Sequence, residues 1–145
     1  GVVITPDDLE AAAAAQNVSI ESGDILLVRT GWRTKFVEEK DPAAFMSGEP
    51  GLGLECCEWI ARKEIAAVCS DNWAIEVLPG ESPDVVFPVH MVLIRDMGVT
   101  LGEILDFDEL AADCAADGVY EFFFVCPPLK FTRAVGSPIN PLAIK

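Results

Sequence analysis

Two short runs with hardly a polar interruption, Ile25-Leu-Leu-Val28 and Ile65-Ala-Ala-Val-Cys69, set the first limit on what this chain can fold into. Both are of strand length, and a strand apolar at successive positions is one covered on both faces, as in a parallel sheet flanked by helices. Helical stretches lie between them. Thr5 as a cap, Pro6 at the first helical position, and Asp7, Asp8 and Glu10 beside the positive end of the helix dipole predict a helix over 6–16. The alanine run 11–15 gives it strong intrinsic propensity. Leu54, Cys57, Ile60 and Ala61 recur at three- and four-residue steps and place a second helix within 52–63. Pro88 opens a third, running to Met97 and stopped by Gly98, and Asp108 caps a fourth that Gly118 ends. Val119–Val125, rich in aromatic and branched residues, is a further strand. The prolines and glycines of 33–53 predict mostly loop with a short helix near 42–46. Residues 77–88 are expected as a surface loop and 100–106 as a connector. Strands alternating with helices make an α/β protein, expected as one domain over 1–145, with a further strand or two supplied by sequence beyond these residues or by another subunit.

Charge removes two classes of partner. Twenty-four acidic against ten basic side chains give a formal charge of −14, which repels phosphate backbones and anionic lipid, so no nucleic acid and no membrane surface is expected. No apolar run approaches the roughly 20 residues of a membrane span. Five cysteines without a Cys-x-x-Cys spacing, and no basic apolar leader, point to a reducing cytoplasmic setting in which the thiols act as small buried hydrophobes. The chain starts Gly-Val-Val without an initiator methionine, and a fragment is expected.

Few residues suggest chemistry. The single histidine, His90, lies in the first turn of the predicted third helix, where the helix amino terminus favours the neutral imidazole that binds a metal or accepts a proton. Glu103 follows thirteen residues later. At about 100° per residue one continuous helix would put the two on nearly opposite sides, so they meet only if the chain reverses, which Gly98 permits. One imidazole and one carboxylate make at most half of a zinc site. Ser70-Asp71-Asn72-Trp73 follows the second buried strand. Asp71 and Asn72 there are either site residues at a strand end or turn residues bonding their own backbone, while Trp73 either lines an apolar pocket or packs in the core. Gly48-Glu-Pro-Gly51-Leu-Gly53 has the wrong glycine order for a phosphate loop, and no Gly-x-Ser-x-Gly elbow is present.

Gly23-Asp-Ile-Leu-Leu-Val-Arg-Thr-Gly-Trp32, Ser70-Asp-Asn-Trp73, Pro88-Val-His90 with Gly98 and Glu103, Pro128-Leu-Lys130 and Gly136-Ser-Pro138 together resemble, in the same order, the cyclase family of metal-dependent hydrolases that includes bacterial kynurenine formamidase and isatin hydrolase. The resemblance runs along nearly all of the chain. It implies a swivelling β/β/α fold, incomplete here, with 1–145 the carboxy-terminal part of the family domain. It also implies homo-oligomers, and hydrolysis of a small amide, cyclic amide or ester carbonyl with zinc or manganese. By the same resemblance His90 is metal ligand or proton shuttle, Glu103 is a metal ligand, and Asp71, Asn72 and Trp73 lie near the substrate pocket. The family's His-x-Gly-Thr-His-x-Asp motif is absent, so the remaining ligands are expected from outside the chain, from an upstream segment or companion, and the chain by itself is expected to be inactive. The competing expectation is a non-catalytic binding or assembly module that keeps the scaffold without the chemistry.

Overall fold

Parallel pairing of the two apolar runs organises the amino-terminal part of the computed structural model, which describes all 145 residues. β2 (Ile25–Val28) pairs with β4 (Ala67–Ser70), and β4 pairs with β5 (Thr100–Gly102), to give the order β2-β4-β5. The register sets Val28 beside Ser70 and Cys69 beside Gly102, so all three strands end at the same edge. β4, in the middle, is buried at Val68, Cys69 and Ser70, whereas β2 is only half-buried, and Ile25 is exposed. The expectation that β2 is covered on both faces is therefore corrected: it forms an edge of this sheet, and its apolar residues are partly covered.

Residues 1–107 and 108–145 form two compact units. In the first, β1 (Val3–Ile4) leads into α1 (Pro6–Ala15), and the predicted cap is present in full. The Thr5 hydroxyl accepts from the Asp8 amide at 3.2 Å while the Asp8 carboxylate accepts from the Thr5 amide at 2.8 Å. The segment 33–53 is more ordered than its composition suggests. It holds α2 (Thr34–Val37), α3 (Pro42–Ser47) and β3 (Gly51–Leu52), the last paired in parallel with β1. Leu52 also bridges to Glu76 and Glu49 to Leu78, so Val77 and Leu78, where the surface loop is expected to begin, pack against this part of the fold, while 79–86 is largely exposed as expected. A Cβ on Gly51 would collide with the backbone of Ile75 and Glu76, which is why glycine stands there.

α4 (Cys56–Lys63) ends at Glu64 in the left-handed conformation. Its buried face is Cys56, Cys57, Trp59 and Ile60, while Leu54 lies before the helix and is exposed. The register inferred from Leu54 and Ala61 is thus shifted, because the helix starts later than the apolar spacing suggests. With Leu9, Leu52, Ile65, Val68, Ile75, Val89, Leu93 and Val99, these side chains make the core of the unit. All five cysteines are free. Burial pushes the Cys56 thiol up to about 12 and the Cys57 thiol up to about 11, which leaves both protonated and unreactive.

The third predicted helix begins as expected with α5 (Pro88–His90) but continues as six residues of π-helix, Met91–Asp96. Gly98, at φ 73, turns the chain back into β5, a strand where the sequence suggested a connector. The second unit holds α6 (Asp108–Asp117) and an antiparallel ribbon of β6 (Phe123–Val125) and β7 (Leu142–Ile144), so the strand expected over 119–125 is shorter. Lys145 ties this unit's end to its helix through Asp113 at 2.9 Å and Asp117 at 2.8 Å.

Because Ile60 is fully buried and Leu54 is exposed, the two truncations should separate cleanly. Ile60→Ala is expected to cost about 2–5 kcal/mol and Leu54→Ala less than about 0.5 kcal/mol, measured by urea unfolding.

Candidate functional site

The common edge of β2, β4 and β5 is where the polar residues gather, since parallel strands deliver their following residues to one place. Thr30 and Gly31 follow β2, Asp71 and Asn72 follow β4, and Glu103 follows β5. Asp71 is buried and fastens the first two strands at their exits. Its Oδ1 accepts from the Thr30 amide at 2.7 Å and the Thr30 hydroxyl at 2.6 Å, and its Oδ2 accepts from the Gly31 amide at 2.7 Å. Asn72, wholly buried, donates through Nδ2 to the Pro50 carbonyl at 2.8 Å and accepts through Oδ1 from the Ile75 amide at 3.0 Å. Its own carbonyl accepts from Ile104 at 2.9 Å, and that of Ser70 accepts from Leu105 at 3.1 Å, fixing the chain just after Glu103. Asp71 thus binds the neighbouring strand rather than its own turn, whereas Asn72 bonds its own turn as well as Pro50.

His90 stands between two carboxylates. Its Nδ1 is 2.7 Å from Oε1 of Glu76 and its Nε2 is 3.0 Å from Oε1 of Glu103. The reversal at Gly98 therefore does bring His90 and Glu103 together. Glu76 also accepts from the backbone amides of Val89 at 3.2 Å and His90 at 3.0 Å, so this carboxylate holds both the start of α5 and the ring it carries. The Glu76 side chain is 2% exposed, that of His90 25% and that of Glu103 34%, which places the pair His90–Glu103 on the solvent side of the buried acid. The hydrogen bond to Glu103, followed by that to Glu76, raises the imidazole pKa to about 9 against the opposing cost of burial.

One aromatic ring flanks the imidazole and a second lies behind the first. Phe87 lies 5.4 Å from the His90 ring and meets Trp73 edge-on at 6.1 Å. The Trp73 backbone amide donates to Oε2 of Glu49 at 2.8 Å, and its indole Nε1 is buried without a partner. Glu49 is itself completely buried, with Oε1 accepting from the Ala74 amide at 2.8 Å. Burial pushes its carboxyl up to about 7, against the pull of those two amides. Glu76 and Glu49 were both missed by sequence reasoning. The signal available for Glu76 was an acid inside the otherwise apolar run Ala74-Ile75-Glu76-Val77-Leu78, a position where a charge must find partners. Glu49 sits between Gly48 and Pro50, and nothing in that composition marks it.

A nitrogen and a carboxylate oxygen that converge from different elements are the beginnings of a metal site, and Glu76 behind Nδ1 is the kind of partner that fixes a ligating imidazole. No group of three or more His, Cys, Asp or Glu side chains is arranged to hold a metal within these residues. Two potential donors, His90 Nε2 and the Glu103 carboxylate, face each other here.

Comparisons with known proteins agree with this architecture. Isatin hydrolase of Roseibium aggregatum is 28% identical over 143 residues, an alignment covering 94% of this chain and 51% of that protein. A crystal structure described as a novel cyclase superposes with a TM-score of 0.87 at 42% identity, covering 99% of this chain and 47% of the other. An isatin hydrolase bound to the product analogue thioisatinate superposes with a TM-score of 0.77 at 28% identity, covering 98% of this chain and 52% of the other. The chain spans about half the length of these relatives, and the α/β fold expected from the resemblance is the one they share. No helix is long and apolar enough to cross a membrane. The family model described as Putative cyclase matches residues 1–77, the stretch that carries β2, β4 and the Asp71–Glu76 turn beneath His90, and the chain belongs to the cyclase family.

Proposed function

We propose that the chain supplies one side of the active site of a metal-dependent hydrolase acting on the carbonyl of a small amide, cyclic amide or ester. The observation that carries this reading is the bridge Glu76–His90–Glu103: a buried carboxylate holds Nδ1 and leaves Nε2 facing a second carboxylate on the solvent side. His90 Nε2 and the Glu103 carboxylate would hold a divalent ion, zinc or manganese, together with ligands from outside these residues, in an upstream segment, a companion chain or another subunit of a homo-oligomer. When bound, such an ion polarises a carbonyl and lowers the pKa of a coordinated water.

The residues of this chain have separable tasks. Glu76 accepts the Nδ1 proton and so directs the lone pair of the neutral ring to Nε2. Without an ion the ring carries a second proton at Nε2, shared with Glu103, and that proton must leave before Nε2 can act as a donor. Phe87, backed by Trp73, gives the imidazole an apolar flank that strengthens its charge interactions, and with Asp71 and Asn72 fixing the strand ends these residues would form the side of the substrate pocket contributed here. The acidic charge balance and the five free cysteines support a cytoplasmic enzyme with a small-molecule substrate.

Two measurements test this. Joined to the segment that would complete the family domain, expected upstream of these residues, the chain should take up zinc or manganese tightly and hydrolyse a panel of amides, lactams and esters, and His90→Ala should lower turnover on the order of 10²–10⁴-fold. The 145 residues alone should bind either ion weakly. A joined protein with full metal content and turnover after His90→Ala would overturn the assignment, and one with neither metal nor turnover would favour the assembly module.

The second measurement is pH. The folded imidazole has a pKa of about 9 against 6.5 unperturbed, so the folded state binds the extra proton and protonation stabilises it. This contribution is complete below about pH 6.5 and disappears as pH rises through about 9. The melting temperature of the unaltered chain should therefore exceed that of His90→Gln most at and below pH 6.5, with the difference shrinking towards pH 9. Weak metal uptake should rise over the same interval, since the ion displaces that proton.

A further inference from the structure

We infer that Glu49 is a positioning residue: it sets the orientation of His90 through the turn from Trp73 to Glu76. Its use in catalysis rests on the hydrolase reading, but its geometry does not.

A completely buried carboxylate needs a reason, because taking a charge out of water costs several kcal/mol unless good hydrogen bonds replace the lost hydration. Glu49 makes one bond per oxygen, to the consecutive amides of Trp73 and Ala74, both at 2.8 Å. The next amide, Ile75, goes to Oδ1 of Asn72, whose Nδ2 is held by the carbonyl of Pro50. Three successive N–H groups of the turn are thus fixed by side chains that are part of, or tethered to, the dipeptide Glu49-Pro50. Beyond them the Ile75 carbonyl accepts from Leu52 at 2.9 Å, and Val77 donates to the Leu52 carbonyl at 3.2 Å. Glu76 sits between these last two contacts. Its carboxylate can accept from Val89, His90 and the ring Nδ1 only while its own backbone is held there.

Gly51 limits the same turn from the other side. The backbone of Ile75 and Glu76 occupies the space a Cβ would need, so β3 and the turn are in contact with no side chain between them. Glu49 pulls the front of the turn onto this surface, and Ile75 adopts φ 60 in consequence of the tight course. A branched residue enters that region only when its surroundings over-determine it.

The chain has one histidine, so the imidazole signals in an NMR spectrum are unambiguous. Glu49→Gln replaces one acceptor oxygen with an NH₂ group that faces an amide donor. The folded variant should lose the hydrogen-bonded Nδ1–H proton line of His90, while Cys114→Ala, a lesion at a buried position in the second unit, should keep it. Glu49→Asp retains both oxygens on a shorter stem and should restore the line in part. An unchanged line in folded Glu49→Gln overturns the proposal. Should neither Glu49 variant fold, amide exchange in the unaltered chain decides: Trp73, Ala74, Val89 and His90 should open together with one protection factor below that of global unfolding. Separate openings for the two pairs overturn the proposal. Neither arm needs metal or substrate, so a chain that passes both and yet gives no hydrolysis with the upstream segment restored would defeat the hydrolase reading alone.

Discussion

A carboxylate almost sealed from solvent, accepting from two backbone amides and one ring nitrogen, is the contact on which the rest of this unit turns. Glu76 fixes where α5 begins and which way its histidine faces. An acid at that depth is tolerated because N–H groups of Val89, His90 and the imidazole replace the hydration it loses on burial. The arrangement also explains why the helix starts at Pro88: proline lacks the amide that would otherwise need a partner there, and the first amides that do exist, on Val89 and His90, point at the acid.

The second condition is topological. Because β2, β4 and β5 run the same way, the residues after each strand meet at one edge, and short polar side chains there can bridge strands that are far apart in sequence. Asp71 reaches back forty-one residues to Thr30, and Glu103 reaches back thirteen to His90. An antiparallel meander would send alternate strand ends to opposite edges and could not bring these groups together. The same edge is therefore both the clasp of the sheet and the candidate site, and rigidity of the first supplies precision to the second.

Much of the scaffold was legible because its signals are local. Thr5, Pro6 and Asp8 state a helix start in four residues, and the capping box is present. The apolar runs give β2 and β4, and Gly98 gives the reversal that unites His90 with Glu103. What could not be read is what depends on partners distant in sequence. β1 and β3 have two residues each, too few for any periodicity, and exist only because they pair with one another. The half-burial of β2 follows from its place at an edge, which a run of Ile, Leu and Val does not encode. The π-helical stretch after His90 keeps Val89 and Leu93 in the core much as an α-helix would, so its apolar spacing cannot distinguish the two. In the site itself, His90 and Glu103 stood out by residue type, whereas Glu76 and Glu49 are two of twenty-four acids until the fold shows them buried.

Of the seven non-glycine residues with positive φ, the three that are branched or aromatic mark where this construction is costly. Ile75 at φ 60 immediately precedes Glu76, Phe87 at φ 54 precedes the helix that carries His90, and Ile104 at φ 58 immediately follows Glu103. Each would relax by about 1–3 kcal/mol in an ordinary conformation, and each is restrained by neighbours. Asn72 Oδ1 holds the Ile75 amide, the Asn72 carbonyl holds the Ile104 amide, and Phe87 packs between Trp73 and the imidazole. One asparagine thus restrains the backbone beside both acids. Positive φ also occurs at Asn17, Lys40, Glu64 and Arg133, but the branched and aromatic residues that adopt it, for which it costs most, stand beside Glu76, before the helix of His90 and beside Glu103. These tight turns accompany the convergence of Glu76, His90 and Glu103, and that placement is the physical ground for the proposal that the three act together.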